Sequence, residues 1–187
     1  MKLKYHLLSA LLASSVGVAA AASAAGNEIF LNIPGITGPV IQPGYVGDIP
    51  LLAYSQGFSN SSVFGAGGIT IGKTQCGAVS FTKLIDSTSV LLLQHVVRGT
   101  VIPTVTLYFL PPATTGTTSA PYSITLSTVV VASISQGDSV NNSGGLGITE
   151  SISLIAEKFA FSYRPLNGGV LGPPETTGWD CVKNAPF

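Results

Sequence analysis

One segment of this chain has the pattern of a helix, whereas the rest of the sequence alternates like β-strands. Residues 90–97, VLLLQHVV, are rich in apolar side chains. Asp86 and Ser89 precede this run, and their side-chain oxygens suit a helix N-terminus. Arg98 suits the negative end of the helix dipole, and Gly99 favours a left-handed stop. The predicted apolar stripe comprises Leu91, Leu92, Leu93, Val96 and Val97. A single helix argues against folds that alternate strands with helices.

Six strand candidates accompany this helix, separated by loops rich in Gly, Ser, Thr and Pro. The strands are Glu28 to Ile33, Ile49 to Phe58, Gly77 to Ile85, Ile102 to Leu110, Tyr122 to Ile134 and Ile148 to Tyr163. The clearest loops are Phe64 to Gly68, Pro111 to Ala120 and Gly137 to Gly147. In the fifth strand, alternation predicts that Ile124, Leu126, Thr128 and Val130 share one face. The sequence therefore predicts a mainly β fold, a six-stranded antiparallel β-barrel or sandwich with one α-helix packed across an end or a side.

The order of these elements resembles the Hcp family, the tube-forming proteins of bacterial type VI secretion. Residues 29–38, IFLNIPGITG, look like that family's opening strand and Gly-Ile-x-Gly turn. Residues 82–86, TKLID, lead into the helix, and residues 159–165, FAFSYRP, match the closing strand. The similarity extends from Ile29 to Pro165. It implies an Hcp-like barrel domain over residues 26–165, followed by a tail at residues 166–187.

In the family that this chain resembles, the barrels form hexameric rings and the rings stack into a tube. The resemblance therefore implies that the chain's main partner is itself. It also implies that the segment from Asn60 to Gln75 corresponds to the extended loop through which one ring contacts the next. The candidate contact residues in that segment are Asn60, Phe64, Gly67, Gly68 and Lys73.

The amino terminus has the pattern of a secretory signal peptide over residues 1–25. Lys2 and Lys4 come first, an apolar stretch runs from Leu7 to Ala22, and small residues such as Ser23 follow. We therefore expect export through Sec to the periplasm or the extracellular space. No later segment is long and apolar enough to predict a membrane span.

The chain has two cysteines, Cys76 and Cys181, and both lie outside the predicted signal peptide. In an oxidising compartment they should pair and tether the tail at residues 166–187 to the strand region before the helix. Two unpaired thiols, or a link between two molecules, are the alternatives.

Composition limits the range of functions. Without Lys2 and Lys4, the eight basic residues fall to six against eight acidic ones, so nucleic acid is not an expected partner. The hydrophobic fraction of 45% supports a folded core. The charged fraction of 9% is far below the roughly 25% of an average protein. A protein surface with so few charges is made either of polar Ser, Thr and Asn side chains or of areas that partner subunits cover.

Two motif matches and one histidine suggest chemistry that their context does not support. Residues 67–74, GGITIGKT, fit the P-loop expression, but turn and strand pattern follows where a phosphate site needs a helix. Ser80 and Lys83 fit S-x-x-K, yet on a strand they point to opposite faces, and we expect both to be exposed or at an edge. His95 is the only histidine after the signal peptide. We therefore expect no enzyme activity, no cofactor and no metal.

The sequence thus favours an exported, non-enzymatic structural subunit that assembles into rings or tubes. The alternative is a monomeric secreted binding or adhesive module, whose loops Pro111 to Ala120 and Gly137 to Gly147 contact a surface ligand. Secreted cargo is a further candidate partner. A hydrolase that uses Ser80 or His95 ranks last.

Overall fold

The computed structural model describes residues 27–111, 119–140 and 146–187, which form fifteen strands and one helix. The strands before the helix are β1 (Glu28–Asn32), β2 (Ile49–Leu51), β3 (Ala53–Ser55), β4 (Phe58–Asn60), β5 (Val63–Gly65), β6 (Gly68–Thr70), β7 (Thr74–Cys76) and β8 (Val79–Leu84). Helix α1 is Ser87–Arg98. The strands after it are β9 (Val101–Leu110), β10 (Tyr122–Val140), β11 (Leu146–Tyr163), β12 (Leu166–Asn167), β13 (Val170–Leu171), β14 (Glu175–Asp180) and β15 (Ala185–Pro186).

A closed circuit of antiparallel pairs forms the centre of the molecule. β1 pairs with β2 and β9, β9 with β10, β10 with β11, β11 with β8, and β8 with β3. Only Leu52 separates β2 from β3, and its N–H donates to the Thr82 carbonyl at 2.8 Å. β2 and β3 therefore act as one bent strand, and the circuit closes as a six-stranded barrel. The predicted fold class is confirmed.

The barrel interior is filled by the alternate side chains that the strand pattern directs inward. The fully buried large residues include Leu31, Ile49, Phe81, Leu107, Ile124, Leu126, Ile152, Leu154 and Phe159. Burying one such side chain contributes about 1.5–3 kcal/mol. This interior is the main source of the barrel's stability.

One helix begins and ends where the sequence predicts. Asp86 is the N-cap, and Ser89 completes a capping box by accepting a hydrogen bond from the Asp86 N–H at 3.1 Å. Gly99 ends the helix in the left-handed region at φ 60°. The predicted apolar stripe is largely wrong. Only Leu92 is fully buried, Val96 packs partly against the core, and the other three leucine and valine side chains of the stripe are exposed.

The alternation predicted for residues Tyr122 to Ile134, which lie in β10, is wrong beyond Leu126. Thr128 has a positive φ of 54°, and Val129 and Val131 face the core in place of Thr128 and Val130. A β-bulge that shifts the register of β10 against β11 lies between Val131 and Ser133. Local irregularities of this kind change which side chains face inward, so a strict period of two fails there.

The predicted loops differ from the structure in two places. Both ends of the predicted loop from Gly137 to Gly147 belong to strands, because β10 continues to Val140 and β11 begins at Leu146. Phe64 to Gly68 lies in a hairpin in which β5 pairs with β6. The strand predicted from Ile49 to Phe58 is interrupted in the structure, where β3 ends at Ser55 and β4 begins at Phe58. Most of Pro111 to Ala120 lies outside the described residues, as does the predicted signal peptide.

Candidate functional site

A two-stranded ribbon, residues 58–76, leaves the barrel between β3 and β8. β4 pairs with β7, and β5 pairs with β6, so the predicted loop Phe64 to Gly68 is the turn of a hairpin together with the paired residues that flank it. Almost all of its side chains are exposed. Gly68, at a positive φ of 112°, turns the chain at the tip. The five candidate contact residues, Asn60, Phe64, Gly67, Gly68 and Lys73, all lie on this ribbon.

The ribbon carries apolar side chains into solvent. Phe64 is 81% exposed and stands opposite Ile69, which is 59% exposed. Ile71 and Val63 are also exposed. The backbone is ordered by polar contacts, since Asn60 Nδ2 donates to the Gly72 carbonyl at 3.0 Å. The ribbon therefore presents an apolar tip of defined shape.

Three contacts fix the base of the ribbon to the rest of the molecule. Cys76 forms a disulfide with Cys181, their Cα atoms 6.2 Å apart, as the sequence predicts for an oxidising compartment. The Thr74 N–H donates to Asn184 Oδ1 at 2.9 Å. The Phe58 ring packs edge-on against Phe159 and Phe161, with centroids 5.1 and 5.7 Å apart. The base is thus anchored to both the barrel and the tail.

The tail is a structured extension of the sheet. β14 pairs antiparallel with the second half of β11, and β15 pairs with β14. Lys158 Nζ lies 3.4 Å from Asp180 Oδ2. Asp180 Oδ1 accepts the Lys183 N–H at 2.8 Å, and this hydrogen bond is the largest cause of a pKa below the usual value for that carboxyl. The sequence prediction for these residues is a tethered tail without strands, although ETTGWD has the β-branched and aromatic content of a strand.

A buried polar cluster joins α1 to the barrel. Lys83 is fully buried, so the expectation that it is exposed or at an edge is wrong. Its Nζ lies 2.8 Å from Glu150 Oε1 and 2.9 Å from Asp86 Oδ1, and it donates to Ser89 Oγ at 3.1 Å. Gln136 Nε2 donates to Glu150 Oε2 at 3.2 Å. The cluster satisfies its buried charges internally and fixes the helix N-terminus to β8 and β11.

The hydrogen bonds around Asp86 favour its charged form. Burial acts to raise its pKa, but hydrogen bonds from Thr88 and Lys83 outweigh the burial and hold the pKa below its usual value. Thr88 donates twice to Asp86 Oδ1, from its N–H at 2.8 Å and from its hydroxyl at 2.6 Å.

The residues singled out for chemistry do not converge. Ser80 Oγ lies 3.0 Å from Ser153 Oγ on one face of β8, whereas Lys83 enters the interior from the other face. His95 lies half-buried on α1. The P-loop match runs through β6 and into β7, and no helix follows Thr74 to receive a phosphate.

In the described part of the chain, no group of three or more His, Cys, Asp or Glu side chains could hold a metal ion. Helix α1, the one helix in those same residues, does not have the length and apolarity to cross a membrane.

Comparison with known proteins places the barrel and its helix in a family. The family model described as "Type VI secretion system effector, Hcp" matches residues 30–164. A search of curated proteins finds no match.

Solved structures share the fold at low sequence identity. A type six secretion system protein aligns with a TM-score of 0.78 and 21% identity, covering 86% of this chain and 99% of that one. Hcp1 from Salmonella typhimurium aligns at 0.70 and 22%, covering 87% and 99%. A type VI secretion system effector from Yersinia pestis aligns at 0.63 and 18%, covering 81% and 98%. Since the family model spans most of the chain, this protein belongs to the Hcp family of type VI secretion system proteins.

Proposed function

We propose that this chain is an exported structural subunit that assembles with copies of itself into rings or tubes, and that the ribbon at residues 58–76 carries a contact between copies. The observation that supports this most directly is the exposed apolar tip of the ribbon. Phe64, Ile69 and Ile71 project into solvent from a ribbon whose base, in contrast, is tightly anchored.

The ribbon gains little stability from contacts within its own chain. A two-stranded ribbon is marginally stable in water without further packing. Leaving several large apolar side chains exposed forgoes about 25 cal/mol for each Å² that a partner would cover. Contiguous exposed apolar surface on a folded protein marks an interaction site. A second subunit of an assembly is the partner that family membership supplies.

Export through Sec is part of the proposal. A bridge between Cys76 and Cys181 is typical of an oxidising compartment. The test is the mass of the mature protein recovered from the producing cells. Loss of residues 1–25 is expected, and a protein that keeps them in the cytosol contradicts export.

The assembly test combines light scattering after size exclusion over a wide concentration range with negative-stain microscopy. The wild type is expected to form a species of several subunits with ring-shaped images. Ile69→Ser should shift the distribution towards monomer, because it removes half of the Phe64 and Ile69 pair. Ile41→Ser is the matched control, since Ile41 is equally apolar, lies outside residues 58–76 and is 87% exposed.

A wild type that stays monomeric at the highest concentration contradicts assembly and favours the monomeric binding or adhesive module. Equal effects of Ile69→Ser and Ile41→Ser contradict a specific role for the ribbon. Neither the rings nor the ribbon contact requires a catalytic step.

A further inference from the structure

Two adjoining grooves lie where the tail meets the barrel and the base of the ribbon. The first, of about 220 Å³, is lined by Phe58, Phe161 and Trp179 among others. The second, of about 300 Å³, is lined by Tyr122, Tyr163 and Glu175 among others. Phe161 and Thr177 border both, so they form one continuous surface, the tail groove. Its walls are aromatic, and Glu175 is the only charged side chain among the described residues that line it.

The tail completes this groove. Glu175, Thr177 and Trp179 all belong to β14, which pairs with β11 and is held next to the ribbon base by the Cys76–Cys181 disulfide. The family match ends at residue 164, before β14 begins.

The ribbon tip has the complementary chemistry. Its apolar pair, Phe64 and Ile69, suits an aromatic groove, and Lys73 is the only charged residue between residues 58 and 76. A single cation on the ribbon and a single carboxylate in the groove give a matched pair of charges on surfaces that are otherwise uncharged.

The two charges each lie apart from the apolar centre of their own surface. Lys73 precedes Thr74, which pairs with Asn60, whereas Phe64 and Ile69 pair nearer the tip of the ribbon. Glu175 and Trp179 are four residues apart on β14, or about 13 Å. With Phe64 beside Trp179, the long Lys73 side chain is the ribbon's cation available to the Glu175 end of the groove.

The contact must form between two molecules. Phe58 borders the groove at the ribbon base, and Gly65 at the tip lies seven residues further along, about 23 Å away in an extended strand. The disulfide and the Thr74–Asn184 hydrogen bond hold the base in place, so the tip cannot fold back onto its own groove.

We propose that the ribbon tip of one copy docks in the tail groove of a second copy, with Phe64 and Ile69 against its aromatic wall and Lys73 paired with Glu175. This contact rests on the self-association proposed above and assigns its acceptor surface. It is heterologous, because a tip on one copy meets a groove on the next. Such contacts generate closed rings or open filaments.

Charge reversal provides the test. Lys73→Glu and Glu175→Lys each place like charges in the contact and should each weaken self-association about tenfold or more, measured by sedimentation over a concentration series. An equimolar mixture of the two variants should recover association, because each tip then meets a groove of opposite charge. The double variant K73E/E175K should recover it too. Lys183→Glu, with the same change of net charge as Lys73→Glu at an exposed tail position outside the groove lining, is the matched control for that variant.

Trp179 supplies a local readout, since it is the only tryptophan in the chain. Its emission should shift as the wild type associates, and Phe64→Ser should abolish the shift. If the reversed variants associate like the wild type, or if mixing them restores nothing, the docking contact is overturned while self-association stands. A wild type that never associates overturns both this contact and the proposed function.

Discussion

The barrel and the ribbon differ in where their side chains find contacts, and one lysine from each region shows the difference. Lys83 in β8 is fully buried and meets Glu150, Asp86 and Ser89 inside the protein. Lys73 on the ribbon is exposed, beside apolar side chains that are exposed as well. The barrel pairs its buried lysine and packs its inward-facing apolar side chains within one chain. The ribbon pairs its strands but leaves most of its side chains exposed.

The largest effect is expected from breaking the barrel's buried cluster. Lys83→Met leaves the Glu150 carboxylate buried without its cation, which typically costs about 3–5 kcal/mol. Urea unfolding should show that loss in the free energy of unfolding. Lys73→Met, the same change on the ribbon, should stay within about 0.5 kcal/mol. Comparable losses at the two positions would contradict the contrast between barrel and ribbon.

The next largest effect concerns the disulfide that joins the two regions. It closes a loop with a sequence separation of 105 residues, and removing a native disulfide typically costs about 2–4 kcal/mol. The double variant Cys76→Ser/Cys181→Ser should unfold at correspondingly lower urea. Limited proteolysis should then cleave the tail and the ribbon before the barrel. A tail that stays as resistant as in the wild type would show that β14 pairing alone holds it.

The helix cap should have a smaller, pH-dependent effect. Asp86→Ala removes an N-cap and should cost about 1 kcal/mol, whereas Asp86→Asn keeps a capping oxygen and loses only the charge. The folded pKa of Asp86 is lowered, so its contribution is present above the unfolded value of about 3.9 and is lost as the pH falls through the folded pKa. Urea midpoints of wild type and Asp86→Asn should therefore converge in acid. A constant difference across that range would argue against a charge effect.

The sequence predicted the barrel strands and the helix ends because these follow from local patterns. The oxygens of Asp86 and Ser89 and the conformational freedom of Gly99 act over a single helical turn. Lys83 was missed, although the alternation Val79, Phe81, Lys83 places it on the inward face of β8. A charge on a core-facing position is a signal of a buried pair. Its partner Glu150 lies 67 residues away, and only the folded structure brings the two together.

The ribbon and the tail were harder to predict for a different reason. Glycine and serine around Asn60 to Gln75 are typical of loops, and short strands such as Phe58–Asn60 are stabilised by pairing partners that local propensity does not reveal. The tail groove depends on the register of β14 against β11, which is a property of the folded sheet.

The smallest effect on folding is expected at the ribbon tip, where Phe64→Ser separates stability from association. Because Phe64 is 81% exposed, its removal should change the free energy of unfolding of the monomer by no more than about 0.5 kcal/mol. The measurement is urea unfolding at a concentration where light scattering shows only monomer, with Ile41→Ser as the matched exposed control. A loss above about 1 kcal/mol would mean that the Phe64 side chain packs against the barrel of its own molecule. If stability is unchanged while association falls, then the apolar tip acts between molecules and the barrel folds without it.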